Sequence, residues 1–167
     1  MEPADFGADC PVNPVLPARG ALPYLVIKGA SDAIAYYQRV FGAQEVFRLD
    51  APDRSVMHCE MKIGPASFML TEERPEHGAR GPLSLGGTAT TVTFYVPDAD
   101  AVIARAVAAG ATVGMPVGDQ FWGDRAGSIT DPFGHQWFVA THKEEPTHDE
   151  MKQRLQKMFE QGAPACG

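Results

Sequence analysis

Between residues 21 and 142 the chain repeats one order of elements twice, and this constrains its fold more than any other feature. In the first copy the apolar run Leu22 to Ile27 predicts a strand. A helix follows from about Ser31 to Phe41, with Ser31 as N-cap, Ile34, Tyr37 and Phe41 at helical spacing, and Gly42 suited to the left-handed position beyond its end. Three extended segments come next, near Gln44 to Leu49, Val56 to Ile63 and Ala66 to Leu70, separated by Ala51-Pro52-Asp53 and Gly64-Pro65. In the second copy Thr91 to Val96 is strand-like, and Asp98 caps a helix from Ala99 to Ala109 that ends at Gly110. Segments near Thr112 to Met115, Gly127 to Thr130 and Gln136 to Thr141 complete it. A shift of 68 residues lays Asp32-Ala33 on Asp100-Ala101, Ile34 on Val102 and Gly42-Ala43 on Gly110-Ala111. Identity is low, so the matched order of elements carries the repeat.

The divisions follow from this. Residues 1–20 form an arm with prolines at 3, 11, 14 and 17, which fix φ and remove donors. Residues 21–72 are the first β-α-β-β-β module, 73–87 a Gly/Pro linker, 88–142 the second module, and 143–167 a C-terminal helix and tail. Asp131-Pro132-Phe133-Gly134 has the residues of a type I turn and predicts a hairpin. Thr147 and Glu150 make a capping box, followed by Met151, Leu155, Met158 and Phe159 on one helix face, for docking on the body or on a partner subunit.

Composition narrows the class. With 167 residues, 44% hydrophobic and 21% charged, the chain can bury a core as a globular protein without disulfide or metal staples. Fourteen Lys and Arg against twenty-one Asp and Glu give a net charge of −7 with no basic run, which argues against nucleic acid and anionic lipid surfaces as partners. No segment approaches the roughly 18 to 20 continuous apolar residues that cross a bilayer. The first twenty residues start acidic, lack an apolar stretch, and do not read as a signal peptide. Three cysteines, Cys10, Cys59 and Cys166, are an odd number, so a reducing cytoplasm is expected.

The segment Ala-Ile-Ala-Tyr-Tyr-Gln-Arg-Val-Phe-Gly-Ala at 33–43, with Trp122-Gly123-Asp124-Arg125 and Asp131-Pro132-Phe133-Gly134-His135 in the second module, resembles the vicinal-oxygen-chelate superfamily. That superfamily includes glyoxalase I, bleomycin-resistance proteins, fosfomycin-resistance thiol transferases and extradiol dioxygenases. The similarity covers about Leu22 to Thr141 and is greatest to small bacterial glyoxalase/bleomycin-resistance-like proteins. It implies an α+β fold whose two modules form a curled mixed sheet around a shared cavity, commonly in a homodimer. It also implies that the metal enzymes place ligands on the first and last strands of each module. Those positions here are Leu22 or its neighbour Pro23, Met69, Thr91 and Phe138, which are not a usual donor set for a divalent ion. No metal site is therefore expected on that template, and no cofactor.

Other residues offer chemistry. In His58-Cys59-Glu60 strand alternation puts His58 and Glu60 on one face and Cys59 on the other. A displaced metal site could recruit His58 and Glu60 with His135 or His142, although a polar pair on a solvated face is equally natural. Glu60 could act as acid or base if burial raised its pKa. Trp122 could stack on a planar ligand and Arg125 could grip an anion at the cavity mouth. The plainer alternative is that Trp122 fills core and Arg125 pairs with Asp124 or Asp131. Phe138 and Met69 should face inward. His135 is expected to be an exposed turn residue, and Cys59 has no adjacent base to make it a nucleophile.

The expected function is metal-free binding of a small, partly apolar or aromatic molecule in the inter-module cavity. The ligand-binding residues would be Trp122, Arg125, Phe138, Met69, His58 and Glu60. The rival is a divalent-metal lyase, isomerase or dioxygenase using a displaced site. A third reading is an interaction module acting through the C-terminal helix and the proline-rich arm.

Overall fold

The computed structural model describes residues 21–160. The arm, Cys10 and Cys166 lie outside the described residues. The first module comprises β1 (Tyr24–Ile27), α1 (Ala30–Phe41), β2 (Gln44–Asp50), β3 (Val56–Ile63) and β4 (Ala66–Glu72). A 3-10 turn at Pro75–His77 and a one-turn helix, α2 (Pro82–Leu85), give structure to the linker. The second module comprises β5 (Thr91–Tyr95), α3 (Ala99–Ala108), β6 (Thr112–Asp119), β7 (Asp124–Thr130) and β8 (Gln136–His142), and α4 (His148–Glu160) follows.

Each module forms one four-stranded mixed sheet, in the orders β1-β4-β3-β2 and β5-β8-β7-β6. In both, the first strand runs parallel to the last and the remaining pairs are antiparallel. The right-handed helix between a module's first two strands makes that parallel pairing possible. The repeat legible in the sequence is thus a repeat of topology.

The two main helices begin differently. Asp98 caps α3 as expected, its side chain accepting from Ala101 N at 2.9 Å. Ser31 does not cap α1: it lies inside the helix, and its hydroxyl meets the Arg48 guanidinium at 3.0 Å. The cap comes from Glu72 at the end of β4, whose carboxylate accepts from Gly29 N and Ala30 N at 2.8 Å each. A carboxylate there satisfies two otherwise unpaired donors and opposes the positive end of the helix. At the other end Gly42, at φ 67°, takes the left-handed position and closes α1 as predicted.

Strand alternation decides which side of each sheet is covered. Leu25, Ile27, Cys59, Met61, Phe68 and Leu70 turn toward the helices in the first module, and Phe94, Ile129, Trp137 and Val139 do so in the second; all are buried. These two covered faces meet in one core. Trp137, with no exposed surface, lies 5.2 Å from the Tyr37 ring, 4.9 Å from Phe41, 5.6 Å from Phe68 and 5.8 Å from Phe94, so it touches both modules. The Tyr36 hydroxyl donates to Ala106 O, and Arg105 Nε to Val40 O, across the helices. Aromatic edge-to-face packing of this kind joins the halves more firmly than area burial alone.

The Asp131 turn adds a polar tie. Its buried carboxylate accepts from Tyr37 Oη and Trp137 Nε1, both at 2.8 Å, and from the backbone N–H groups of Phe133 and His135. Burial and that carboxylate push the Tyr37 phenol well above its ordinary pKa, so it remains a donor. The expectation of an exposed His135 is corrected here. The residue is 8% exposed, with Nε2 3.2 Å from Val26 O, because the turn folds back onto β1 and α2.

Candidate functional site

A cavity of about 620 Å³ opens at the seam between the modules. Leu22, Phe68, Phe94 and Trp137 give it apolar walls, and Glu60 and Lys62 are its charged lining residues. It draws on β3 and β4 of one module and on β5 and β8 of the other. Apolar walls with a few polar groups, at the scale of a small organic molecule, are the ordinary make-up of a ligand pocket.

The sequence-selected residues other than Arg125 separate into two groups on the sides of the sheets that the helices leave bare. On the first sheet, Glu60 pairs in register with Met69 and with Phe47, Met69 with Tyr24, and His58 with Leu49. His58 and Glu60 therefore share one face, opposite Cys59, as alternation predicts. The Tyr24 hydroxyl lies 3.4 Å from His58 Nδ1, and the Tyr24 and Phe47 rings stand 5.8 and 6.2 Å from the imidazole. Glu60 is buried, Met69 is half-buried, and Tyr24, Phe47 and Leu49 are exposed. Burial of Cys59 raises its thiol to about 11, which keeps it protonated and inert.

On the second sheet, Trp122 and Phe138 face each other at 6.3 Å. Trp122 is half-buried rather than part of the core, and its indole N–H donates to Asp124 Oδ2 at 2.8 Å. Asp124, 3% exposed, also accepts from Tyr95 Oη at 3.0 Å and contacts His142 Nδ1 at 3.0 Å. That bond raises the Tyr95 phenol above its ordinary pKa. Arg125 turns the other way. Its guanidinium makes a two-pronged pair with Asp100 at 2.6 and 2.8 Å and reaches Asp119 at 3.2 Å, so its partners are neither Asp124 nor Asp131. A fork already filled by two carboxylates is engaged away from the bare faces.

Of the six residues singled out, only Glu60 lines the seam cavity. Phe68, Phe94 and Trp137, which do line it, were missed, although alternation along β8 places Trp137 opposite Phe138. Asp124, Tyr95 and His142 were missed as a group because they are distant in sequence and meet through register alone.

The donors present do not fit the divalent ion of the metal enzymes. Leu22 or Pro23, Met69, Thr91 and Phe138 supply no imidazole or carboxylate. Among the described residues no three His, Cys, Asp or Glu side chains gather as a metal-binding group. Among the described residues no third donor joins His58 and Glu60 to make the displaced site.

Two mixed sheets from a duplicated β-α-β-β-β unit, with a cavity where they join, define a class, and the sequence profile of the Glyoxalase/Bleomycin resistance protein/Dioxygenase superfamily matches residues 21–139. The chain belongs to that family. It is 40% identical over 133 residues to "Uncharacterized protein Rv0887c" of Mycobacterium tuberculosis (strain ATCC 25618 / H37Rv), covering 78% of each chain. It is 26% identical over 146 residues to "Protein YjdN" of Escherichia coli (strain K12), covering 75% of this chain and 97% of that one. Among solved structures, TioX from Micromonospora sp. ML1 superposes with a TM-score of 0.58 at 26% identity, covering 77% of this chain and 100% of that one. The fosfomycin resistance protein FosX from Listeria monocytogenes shares the fold with a TM-score of 0.58 at 17% identity, covering 81% of this chain and 99% of that one. Among the described residues no helix is long and apolar enough to cross a membrane.

Proposed function

We propose that this protein binds a small, partly apolar or aromatic molecule in the cavity between its modules, without a metal. The seam cavity carries the reading: about 620 Å³, with three aromatic side chains on its walls and Glu60 and Lys62 as its charged groups. Such walls favour a flat or branched apolar body, and the charged residues favour one that also carries a polar substituent. The superfamily's name includes resistance proteins, and holding a molecule out of solution requires a cavity but no reacting centre.

A cavity-filling variant tests this. Ala66 is an exposed lining residue at the start of β4, so Ala66→Trp should close the cavity while leaving the fold intact. With 1-anilinonaphthalene-8-sulfonate as probe, wild type should bind near one equivalent saturably, with quenching of tryptophan fluorescence, and Ala66→Trp should bind at least tenfold more weakly. Unsaturable binding, or equal binding by a folded Ala66→Trp variant, would overturn the proposal.

We infer further that the protein works as a homodimer in the cytoplasm. The bare face of the first sheet exposes Tyr24, Phe47 and Leu49 to about half their area, and Tyr95 on the second sheet is 60% exposed. A second copy is the occupant we assign to these faces, since apolar clusters of this kind mark contact surfaces. The one cysteine among the described residues, Cys59, is a free buried thiol, as a reducing compartment would keep it.

A further inference from the structure

The two charged residues that line the seam cavity are not equivalent. Glu60 is 6% exposed and already engaged within the protein. Lys62 lies two residues further along β3, on the same face, at the end that leads into the Gly64-Pro65 turn. It is exposed, and among the described residues it makes no ion pair. Ser67 stands directly opposite Lys62 in the β3–β4 register, which brings two such side chains within roughly 5 Å of each other at Cβ. Ser67, and Thr93 from β5, also line the cavity, and neither hydroxyl is spent on a hydrogen bond among the described residues. An ammonium has three donors and no acceptor, and a hydroxyl donates one more. This end of the cavity is therefore a cluster of unspent donors, while Phe68, Phe94 and Trp137 wall it with hydrocarbon. Phe47 and Leu49, assigned above to the contact with a second copy, stand opposite Glu60 and His58, toward the other end of β3, so Lys62 lies outside that cluster.

We propose that the molecule held in the seam is an ionised carboxylic acid, with one carboxylate on a flat aromatic or branched apolar body. The inference rests on the seam reading and adds the charge of its ligand. The body lies against Phe68, Phe94 and Trp137, and the carboxylate meets the Lys62 ammonium and the Ser67 hydroxyl. A carboxylate accepts through two oxygens, so it takes both donors at once, and hydrogen bonds between charged partners are roughly twice as strong as neutral ones. Other charge types fit less well. An uncharged ligand would cover part of Lys62 with hydrocarbon and leave its charge unpaired. A cationic ligand would meet Lys62 head-on and find Glu60 already engaged. The net charge of −7 repels anions at long range, but salt screens exposed charges beyond about 8–10 Å, whereas the Lys62 contact acts at hydrogen-bond distance.

Three probes that share one ring system test it on the full chain: anthracene-2-carboxylate, anthracene-2-carboxamide and 2-anthracenylmethylammonium, each titrated at neutral pH by quenching of tryptophan fluorescence. Wild type should bind the carboxylate at least tenfold more tightly than the carboxamide, and the ammonium most weakly. Lys62→Gln, at an exposed side chain, should lower the carboxylate to the affinity of the carboxamide, and Lys62→Arg should keep most of the preference. Ala66→Trp, which closes the cavity, should weaken all three at least tenfold. Saturable binding that Ala66→Trp blocks, but with carboxylate and carboxamide equal, overturns this proposal and leaves the seam reading standing. So does a preference for the ammonium, or a carboxylate preference undiminished in a Lys62→Gln variant with an unchanged circular dichroism spectrum. Absence of saturable binding by all three probes, or equal binding by folded Ala66→Trp, overturns the seam reading and this proposal with it.

Discussion

At the scale of single residues, position in the tertiary fold outweighs residue type. His135 follows a turn glycine, where exposure is the natural expectation, yet it is buried with Nε2 at the Val26 carbonyl. Desolvation lowers its pKa below the usual value near 6.5, against the opposing pull of Asp131. A histidine with a depressed folded pKa contributes stability that is full above the unfolded pKa, about 6.5, and is lost as pH falls through the folded value. Urea midpoints should therefore drop between pH 7.5 and 5.5, and His135→Gln, which keeps a donor at the Nε2 position, should drop less over the same interval. An identical pH dependence in the two proteins would show that His135 does not titrate with unfolding. Arg125 teaches the same lesson. Its type and its place in a motif suggest anion binding, but neighbouring carboxylates on α3 and β6 already occupy its fork.

Elements show where local rules suffice and where they do not. Asp98 with Ala101, Thr147 with Glu150, Gly42 and the Asp131 turn were all legible, because each is a contact within a few residues. The cap of α1 was not legible, since Glu72 lies more than forty residues from the groups it receives. Glu72→Ala should cost about 1–2 kcal/mol in chemical denaturation, and Ser31→Ala well under half of that, since only Glu72 satisfies helix N-terminal donors. Equal costs would restore the serine as the cap. Similarly, β6 was expected to stop at Met115, before Pro116 and Gly118, but it continues to Asp119. Its place at the sheet edge and its register shifts against β7 explain why a proline is tolerated.

For the whole molecule the two covered faces are spent on one core, which leaves two bare faces with aromatic and aliphatic side chains. If a second copy covers them, light scattering should give about twice the 18.0 kDa chain mass at micromolar concentration. Phe47→Asp with Leu49→Asp, both on the exposed face of β2, should halve that mass with an unchanged circular dichroism spectrum. A wild-type monomer would remove the dimer from the functional reading. The C-terminal helix contributes no buried residue, with Met151, Leu155 and Met158 half-buried and Phe159 exposed, so its apolar stripe is not spent on this chain's own core.

The sequence by itself determined the duplicated β-α-β-β-β order, most helix ends and turns, the family, and the shared face of His58 and Glu60 opposite Cys59, because these depend on neighbours within a few residues and on period. Only the tertiary structure decided that Trp137 rather than Trp122 lines the cavity, that Arg125 is bound elsewhere, and that Asp124 gathers Tyr95, Trp122 and His142. Those outcomes depend on strand register and on how two sheets meet, and a side chain's partner across such a contact is fixed by geometry that no local spacing encodes.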